Sequence, residues 1–381
     1  MPRMISAGDA AWRRHARRLA DELRREGVLS DPAWRDAVLH VPRHVFIPDF
    51  YLHTENAEDV RKGKHFTAAT PGYLEAAYSD DTLVTQYIEH NGWPWPTSSS
   101  TAPWLMSRML HELDVHDGMT VLEIGTGTGY NAGLLSHRLG DSRVTSVDID
   151  PELIHLAGRR LRAAGFQPAL AVGDGRDGFP GATPYDRLIA TVAFETLPTA
   201  WIEQVRPGGI IICDLRPAGA PWSGALVKLT VADDHTAVGE LLECPAGFMP
   251  ARTRAALPGS SEEGVIDRTT VHERDTVVGG DAIMTPGLAL LVWQHLPGLT
   301  VYPGADETTI TAAGSWAEVP HHSPARLTHG GPADLWSIVE NAHTRWRQLG
   351  QPGIGAYGIT VTPDRQWIWL DTPDQPVVVH P

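Results

Sequence analysis

Apolar residues at helical spacing mark the first part of the chain. In residues 12–27 they recur every three or four positions, arginines occupy the opposite face, and Gly27 ends the pattern. Residues 31–40 predict a second helix, with Pro32 placed as in a first helical turn. The chain then becomes polar and irregular up to residue 75.

Short apolar runs alternate with amphipathic stretches in the middle of the chain. Repeated strand–helix units with short connections predict a parallel sheet with helices on both faces. Two later apolar runs predict an antiparallel pair that closes the sheet. The fold class is therefore α/β with a mostly parallel seven-stranded sheet. The seven predicted strands span residues 121–124, 143–149, 169–172, 186–192, 210–214, 226–231 and 238–242.

A change of composition predicts a domain boundary at residues 255–263, which are small, polar and contain Gly and Pro. Beyond it, β-type patterns with one helix at 332–349 and one hairpin at 358–370 predict a smaller α+β domain. We expect three parts. They are an N-terminal helical and irregular segment that packs on the core (1–75), a ligand-binding core (76–254) and a C-terminal accessory domain (264–381).

Composition excludes several kinds of partner. The 381 residues carry a formal charge of −15, which disfavours binding to nucleic acid through phosphates. No apolar run approaches the ~20 residues that a membrane span requires. Two distant cysteines and no signal-peptide pattern fit a cytoplasmic protein. The 18 histidines form no known metal motif, so we predict no metal. The oligomeric state is left open.

A glycine-rich turn carries the first sign of chemistry. Gly125, Gly127 and Gly129 alternate with Thr126 and Thr128 between a predicted strand and a predicted helix. Glycines let the backbone approach a ligand closely, and the helix start behind them offers free N–H groups. This pattern alone is also compatible with a nicotinamide dehydrogenase, although that fingerprint is usually G-x-G-x-x-G.

Three acidic residues at successive strand ends favour a different cofactor. Glu123 precedes the turn and can orient an ammonium group, directly or through the loop. Asp148 ends the second strand and can accept hydrogen bonds from both hydroxyls of a ribose. Asp174, beside Gly175, can accept a hydrogen bond from an adenine amine, although it also suits a turn. Together they predict an S-adenosylmethionine site, with S-adenosylhomocysteine as the product.

Several motifs share one resemblance over about residues 15 to 250. In these motifs the chain resembles the protein-L-isoaspartate (D-aspartate) O-methyltransferase family. This resemblance implies a Rossmann-like class I methyltransferase fold. By position, the family's active-site hydroxyl residue corresponds to Thr101, and the hydroxyl residue two before it to Ser99. The motifs are VLEIGTGTGYNAGLL, VPRHVFIP, AYSDDTL, SSSTAPWLMSRMLHEL, RPGGIII and the Gly-Asp-Gly at residues 173–175.

The hydroxyl-rich segment before residue 103 is the predicted substrate side. Ser98, Ser100 and Trp104 flank Thr101 and Ser99 there and are predicted to bind substrate. Hydroxyl donors can orient a carboxylate without neutralising it, whereas a cation would blunt the nucleophile. One or two of these hydroxyls are also expected to cap the following helix. Trp104 replaces the family's frequent histidine, and the preceding loop, Gly92 to Pro96, is aromatic and proline-rich.

The C-terminal part, from LTHGGPADLW to the last hairpin, carries a second resemblance. It is similar to the tail of a family branch that acts in biosynthesis of ribosomally made, modified peptides (lanthipeptides and graspetides). That resemblance implies methylation of an aspartate in a macrocyclic precursor peptide, leading to aspartimide or isoaspartate. Six tryptophans after residue 290 favour peptide recognition, although a core position is the commoner fate of tryptophan.

The chain is therefore predicted to be an S-adenosylmethionine-dependent carboxyl O-methyltransferase with a modified precursor peptide as its partner. Two alternatives stay open at this point. One is a general isoaspartate repair enzyme with an added domain. The other is a non-catalytic peptide-binding protein that keeps the fold.

Overall fold

The computed structural model describes residues 7–52, 63–90, 93–244, 246–253 and 268–380. The chain divides into two compact units. The first comprises Met1–Thr191 with Glu203–Ile212, and the second comprises Val192–Ile202 with Cys213–Pro381. The predicted boundary at 255–263 lies outside the described residues, so the three-part division stays a prediction.

Helices near the N-terminus agree with the apolar spacing. Asp31 caps the second of them, because its carboxylate accepts a hydrogen bond from the Ala33 N–H at 2.7 Å. A four-residue helix follows, and its Phe46 is fully buried. The first-unit helices up to residue 113 are α1 (Ala7–Arg25), α2 (Pro32–His40), α3 (Arg43–Phe46), α4 (Tyr73–Ala77) and α5 (Pro103–Leu113).

A small antiparallel sheet precedes α5, where the sequence predicts irregular structure and a loop. Its strands are β1 (Asp49–Leu52), β2 (Lys64–Thr67), β3 (Leu83–His90) and β4 (Trp93–Ser100), in the order β2–β1–β3–β4. The loop prediction for Gly92 to Pro96 is wrong for residues 93–96, and Gly92 lies outside the described residues. Pro94 and Pro96 are tolerated because β4 is an edge strand, which can lack backbone donors on its open side.

The central strands and helices confirm the predicted strand–helix alternation. The strand order is β9–β8–β5–β6–β7, and the pairs β5–β6, β5–β8 and β6–β7 are parallel. The elements are β5 (Val121–Ile124), α6 (Tyr130–Leu139), β6 (Val144–Asp148), α7 (Pro151–Ala164), β7 (Ala169–Val172), β8 (Tyr185–Phe194), α8 (Thr199–Gln204) and β9 (Val205–Leu215).

Antiparallel pairing dominates the second unit. One set of strands has the order β10–β11–β17–β18–β19, and a separate five-stranded sheet has the order β12–β16–β15–β14–β13. The strands are β10 (Ala225–Val231), β11 (Ala237–Leu242), β12 (His272–Thr276), β13 (Thr300–Pro303), β14 (Glu307–Ala312), β15 (Ser315–Pro320), β16 (Ala325–Gly330), β17 (Tyr357–Val361), β18 (Gln366–Leu370) and β19 (Pro376–His380).

Two helices, α9 (Pro286–His295) and α10 (Leu335–Gln348), belong to this second unit. The sequence predicts only the latter. The residues of α9 from Gly287 to Gln294 are all buried, so this helix has no polar face and lacks the amphipathic pattern on which the prediction depends.

The seven-stranded, mostly parallel sheet is not confirmed in detail. The parallel pairs are accompanied by antiparallel ones, and two additional antiparallel sheets are present. Among the described residues, no helix combines the length and the apolar character needed to cross a membrane.

Candidate functional site

The glycine-rich turn lies between β5 and α6, as the sequence predicts. Gly125, Gly127 and Gly129 all have positive φ angles, at 93°, 49° and 86°. A side chain would be strained in this left-handed region, which explains the three glycines. The Gly125 N–H donates to the Val147 carbonyl oxygen at 2.8 Å, so the turn is fastened to the end of β6. Gly129 is the N-cap of α6, whose first N–H groups follow directly.

Glu123 lies beneath this turn and is completely buried. Its two carboxylate oxygens accept hydrogen bonds from Asn131 Nδ2 at 2.7 Å and from Ser146 Oγ at 2.5 Å. The Ser146 hydroxyl is also 2.6 Å from Thr126 Oγ1, within the turn. Burial raises the pKa of the Glu123 carboxyl to about 7, although both hydrogen bonds act in the opposite direction. Through Ser146, Glu123 is therefore linked to the turn, which is the arrangement that an indirect role through the loop requires.

Asp148 ends β6 and faces the turn from the side. One of its oxygens accepts the Gly127 N–H at 2.9 Å, and the other accepts the Asp150 N–H at 3.1 Å. The residue is 8% exposed, which fits a carboxylate at the edge of a ligand site.

Asp174 and Gly175 follow β7 at the same end of the sheet. Asp174 accepts the Arg176 N–H at 3.0 Å and caps a short 3₁₀ turn. Its turn-forming role, one of the two that the sequence allows, is therefore realised. A Cβ built on Gly175 would lie 2.3 Å from Ile124 Cγ2, so only glycine fits against the end of β5.

The hydroxyl-rich segment lies directly beside the glycine turn. A Cβ built on Gly127 would lie 3.6 Å from Ser98 Oγ and 3.7 Å from the Ser99 carbonyl oxygen. Ser98 is buried, and its hydroxyl accepts a hydrogen bond from Thr85 Oγ1 at 3.2 Å. Ser99 is half-buried and pairs with Val84 of β3. Strand pairing therefore fixes the predicted substrate segment next to the predicted cofactor turn.

Arg43 fixes the end of the same segment and was not predicted as a site residue. Its fully buried guanidinium donates to the Thr101 carbonyl oxygen at 3.3 Å and approaches Ser100 Oγ at 3.5 Å. It also donates to the carbonyl oxygens of Ser79 at 2.7 Å and Asp81 at 3.1 Å. Burial lowers the pKa of the guanidinium. Arg43 is the arginine of the VPRHVFIP motif, so that motif could have indicated its importance from the sequence.

Helix capping by the hydroxyl residues is a wrong prediction. The N-cap of α5 is Ala102, which provides no side-chain hydrogen bond. The Trp104 N–H instead donates to Asp80 Oδ1 at 2.6 Å. An acidic residue from a distant loop thus takes the role of a cap, because the hydroxyl residues are committed to strand β4. Thr101 is half-buried between β4 and α5.

The residues that surround the turn fit S-adenosylmethionine. The positive-φ glycines provide close backbone approach, Asp148 places a carboxylate against the turn, and α6 provides a helix N-terminus at the end of β5. All predicted cofactor and substrate positions belong to the first unit.

Comparison with known proteins decides the family. A profile described as protein-L-isoaspartate (D-aspartate) O-methyltransferase matches residues 14–236. The chain belongs to this family. The protein-L-isoaspartate O-methyltransferase of Hyperthermus butylicus is 32% identical over 54% of this chain and 76% of its own length. The enzyme of the same name from Ignicoccus hospitalis is 28% identical over 61% of this chain and 95% of its own length.

A solved structure of the same name extends the likeness beyond the family match. It covers 94% of this chain and 100% of its own, with a TM-score of 0.55 and 22% identity, which shows a shared fold. Family membership makes this protein an S-adenosylmethionine-dependent carboxyl O-methyltransferase with a class I methyltransferase fold. The enzyme class and cofactor predicted from sequence are thereby confirmed.

Proposed function

We propose that this enzyme methylates the free carboxylate of isoaspartyl residues in proteins and peptides. One observation carries the proposal: Ser98 and Ser99 lie where a Cβ on Gly127 would contact them. The Ser98 hydroxyl, a group that suits a carboxylate, therefore adjoins the turn that suits the methyl donor, and Ser99 adjoins the same turn through its backbone carbonyl oxygen. The general repair reaction, which the sequence leaves as an alternative, is preferred because the relatives are named protein-L-isoaspartate O-methyltransferases and the family profile matches residues 14–236.

On the cofactor side, we assign direct contacts to the turn and to two acidic residues. Gly125, Gly127 and Gly129 admit the amino-acid end, Asp148 accepts the ribose hydroxyls, and Asp174 with Gly175 borders the adenine. Glu123 acts through Ser146 and Asn131 and keeps Thr126 in place. S-adenosylmethionine supplies an activated methyl group when bound.

On the substrate side, the residues need only align the substrate carboxylate with the methyl group and exclude water from it. A carboxylate is already ionised at neutral pH, since the reference pKa of an aspartate carboxyl is about 3.9. Thr101 and Ser99 orient the carboxylate by donating hydrogen bonds, with Ser98, Ser100 and Trp104 around them. Excluding water from the carboxylate raises its reactivity, and holding it in line lowers the entropic cost. No proton transfer by a side chain is required for this step.

The product ester can react further without the enzyme. The backbone amide nitrogen of the following residue attacks the ester carbonyl carbon, and methanol leaves once the amide proton is transferred. A succinimide ring forms, and water then opens it to aspartate or isoaspartate. Repeated cycles convert isoaspartate to aspartate, which is the outcome expected of a repair enzyme.

A second candidate substrate is an aspartate in a modified, macrocyclic precursor peptide. The observation in its favour is hairpin β3–β4, whose Trp95 is 41% exposed next to the substrate segment. The C-terminal part gives less support. Trp293, Trp316 and Trp336 are buried, and a protein named as an isoaspartate methyltransferase shares the fold over 94% of this chain.

The two candidates differ in a direct assay. The purified protein is supplied with S-adenosylmethionine and either an isoaspartyl peptide or a macrocyclic peptide with an internal aspartate, with the matched aspartyl peptide as control. We expect transfer to the isoaspartyl peptide alone. Transfer only to the macrocycle would replace the proposal by the second candidate. Binding of S-adenosylmethionine without transfer to any of them would favour a non-catalytic peptide-binding role.

A further inference from the structure

Two histidines and an aspartate meet on the surface of the first unit, where α2 packs against α6. One oxygen of Asp36 is 2.8 Å from His137 Nε2, and the other is 3.1 Å from His40 Nδ1. The imidazole rings of His40 and His137 stack at 5.7 Å with an angle of only 7° between their planes. One donor atom from each of the three side chains lies within 4.8 Å of the other two.

We propose that Asp36, His40 and His137 form a binding site for one divalent transition-metal ion, with zinc as the best fit. Zinc is bound by imidazole nitrogens and carboxylate oxygens at about 2.0–2.2 Å, which places the donors roughly 3.4 Å apart in a tetrahedral site. The two Asp36 oxygens lie 2.8 Å and 3.1 Å from the two imidazole nitrogens, and one donor atom from each residue lies within 4.8 Å of the others, so small side-chain adjustments would reach that spacing. The proposal goes beyond methyl transfer, because none of the three residues belongs to the site described above.

The framework around the cluster is rigid enough for a metal site. Asp36 and His40 are four residues apart on α2, so their side chains project from one face of the helix. Trp34, Ala37 and Val38 of the same helix are buried, which anchors α2. His137 lies in the last turn of α6, whose residues from Tyr130 to Ser136 are buried. The metal would therefore join two well-anchored helices.

The exposure of the cluster gives an ion access to it. Asp36 and His40 are exposed, and the His137 side chain is 25% exposed. Three protein donors leave the remaining coordination position to water. Imidazole ligands favour zinc, cobalt or nickel over magnesium and calcium, which prefer oxygen ligands.

The expected consequence is a stronger attachment of α2. His40 is the last residue of this helix, and Arg43, which holds the substrate segment, follows it by three positions. A metal that binds the folded protein only would raise the unfolding temperature in a saturable way. We therefore expect a structural metal rather than a catalytic one.

The test uses the full-length protein, with any affinity tag removed and metal stripped by a chelator. Zinc chloride is titrated by calorimetry, and unfolding temperatures are measured with and without zinc. We expect one zinc per chain and a rise in unfolding temperature, with no rise for magnesium. His40→Ala and His137→Ala should each weaken zinc binding by at least about tenfold.

A matched control comes from an exposed pair in the same unit. His65 Nε2 lies 2.7 Å from Asp49 Oδ1, and within the described part of the chain no third donor joins this pair. His65→Ala should leave zinc affinity unchanged. Because the mutated side chains are on the surface, unfolding in chelator shows whether each variant is folded. Absence of zinc binding by the wild type would overturn the proposal. So would zinc binding by His40→Ala and His137→Ala that is as tight as that of the wild type.

Discussion

The guanidinium of Arg43 donates a hydrogen bond to the carbonyl oxygen of Thr101, 58 residues further along the chain. The same side chain also binds the carbonyl oxygens of Ser79 and Asp81, and it is fully buried. Arg43 is therefore a positioning residue. In the proposed site it acts by fixing the backbone from which the Thr101 hydroxyl extends.

Replacing Arg43 by leucine should disturb both stability and substrate binding. Three carbonyl groups in part-buried hydrogen bonds would lose their donor, at a cost of up to about 1–3 kcal/mol each. We expect a lower unfolding temperature and a higher KM for the isoaspartyl peptide, with a smaller effect on the Kd for S-adenosylmethionine. Arg18→Leu is the control, because its pair with Glu22 is exposed and such pairs contribute about 0–1 kcal/mol. Equal destabilisation by both variants would contradict the role of Arg43.

The Thr101 hydroxyl is expected to matter for turnover and not for cofactor binding. Thr101→Ala removes one donor to the substrate carboxylate, so kcat should fall by roughly 10- to 100-fold. Thr101→Ser keeps the hydroxyl and should retain most of the activity. Kinetics with an isoaspartyl peptide and calorimetry with S-adenosylmethionine provide the two measurements. A large loss of cofactor affinity in Thr101→Ala would contradict the assignment of this residue to the substrate side.

Asp148 should have the opposite profile. Asp148→Ala removes the proposed ribose acceptor and the acceptor of the Gly127 N–H, so it affects the cofactor twice. We expect the Kd for S-adenosylmethionine to rise by at least about tenfold, which corresponds to 1.4 kcal/mol. Calorimetry on a variant shown to be folded by its unfolding transition checks this. Unchanged affinity would remove the ribose assignment.

Glu123 should make stability depend on pH. Burial raises its pKa from 4.5 to about 7, so ionisation in the folded state is disfavoured. Its contribution to the free energy of unfolding is fully present below pH 4.5 and is lost as the pH rises through 7. Between pH 5 and 8 the wild type should therefore lose roughly 2 kcal/mol relative to Glu123→Gln, which does not titrate. Denaturant unfolding of both proteins at the two pH values measures the difference, and a constant difference would refute the prediction.

Local patterns place the proposed cofactor residues at the ends of the central strands. The glycines, Asp148 and Asp174 lie on consecutive elements, and α2 begins at Pro32, the residue expected in its first turn. The hydrogen bonds of Glu123 were harder to predict from the sequence. Its partners Ser146 and Asn131 belong to different elements, so only the fold brings them together.

The substrate side depended on tertiary structure that spacing does not show. Pairing with β3 turns residues 93–100 into a strand, although their prolines and serines favour a loop and a cap. Arg43 acts over long distances in sequence, as do His40 and His137. His40 and His137 are far apart in sequence and form no local metal-binding motif. For this reason the sequence predicts no metal.

The contact between Gly127 and strand β4 also has a consequence for redesign. A Cβ on Gly127 would already be in van der Waals contact with Ser98 and the Ser99 backbone, so a side chain larger than that of alanine would press on the proposed substrate segment. Changes meant to alter peptide preference are better placed on the outer part of the hairpin, where Trp95 is exposed. Substrate choice could then evolve there while the machinery of methyl transfer stays unchanged.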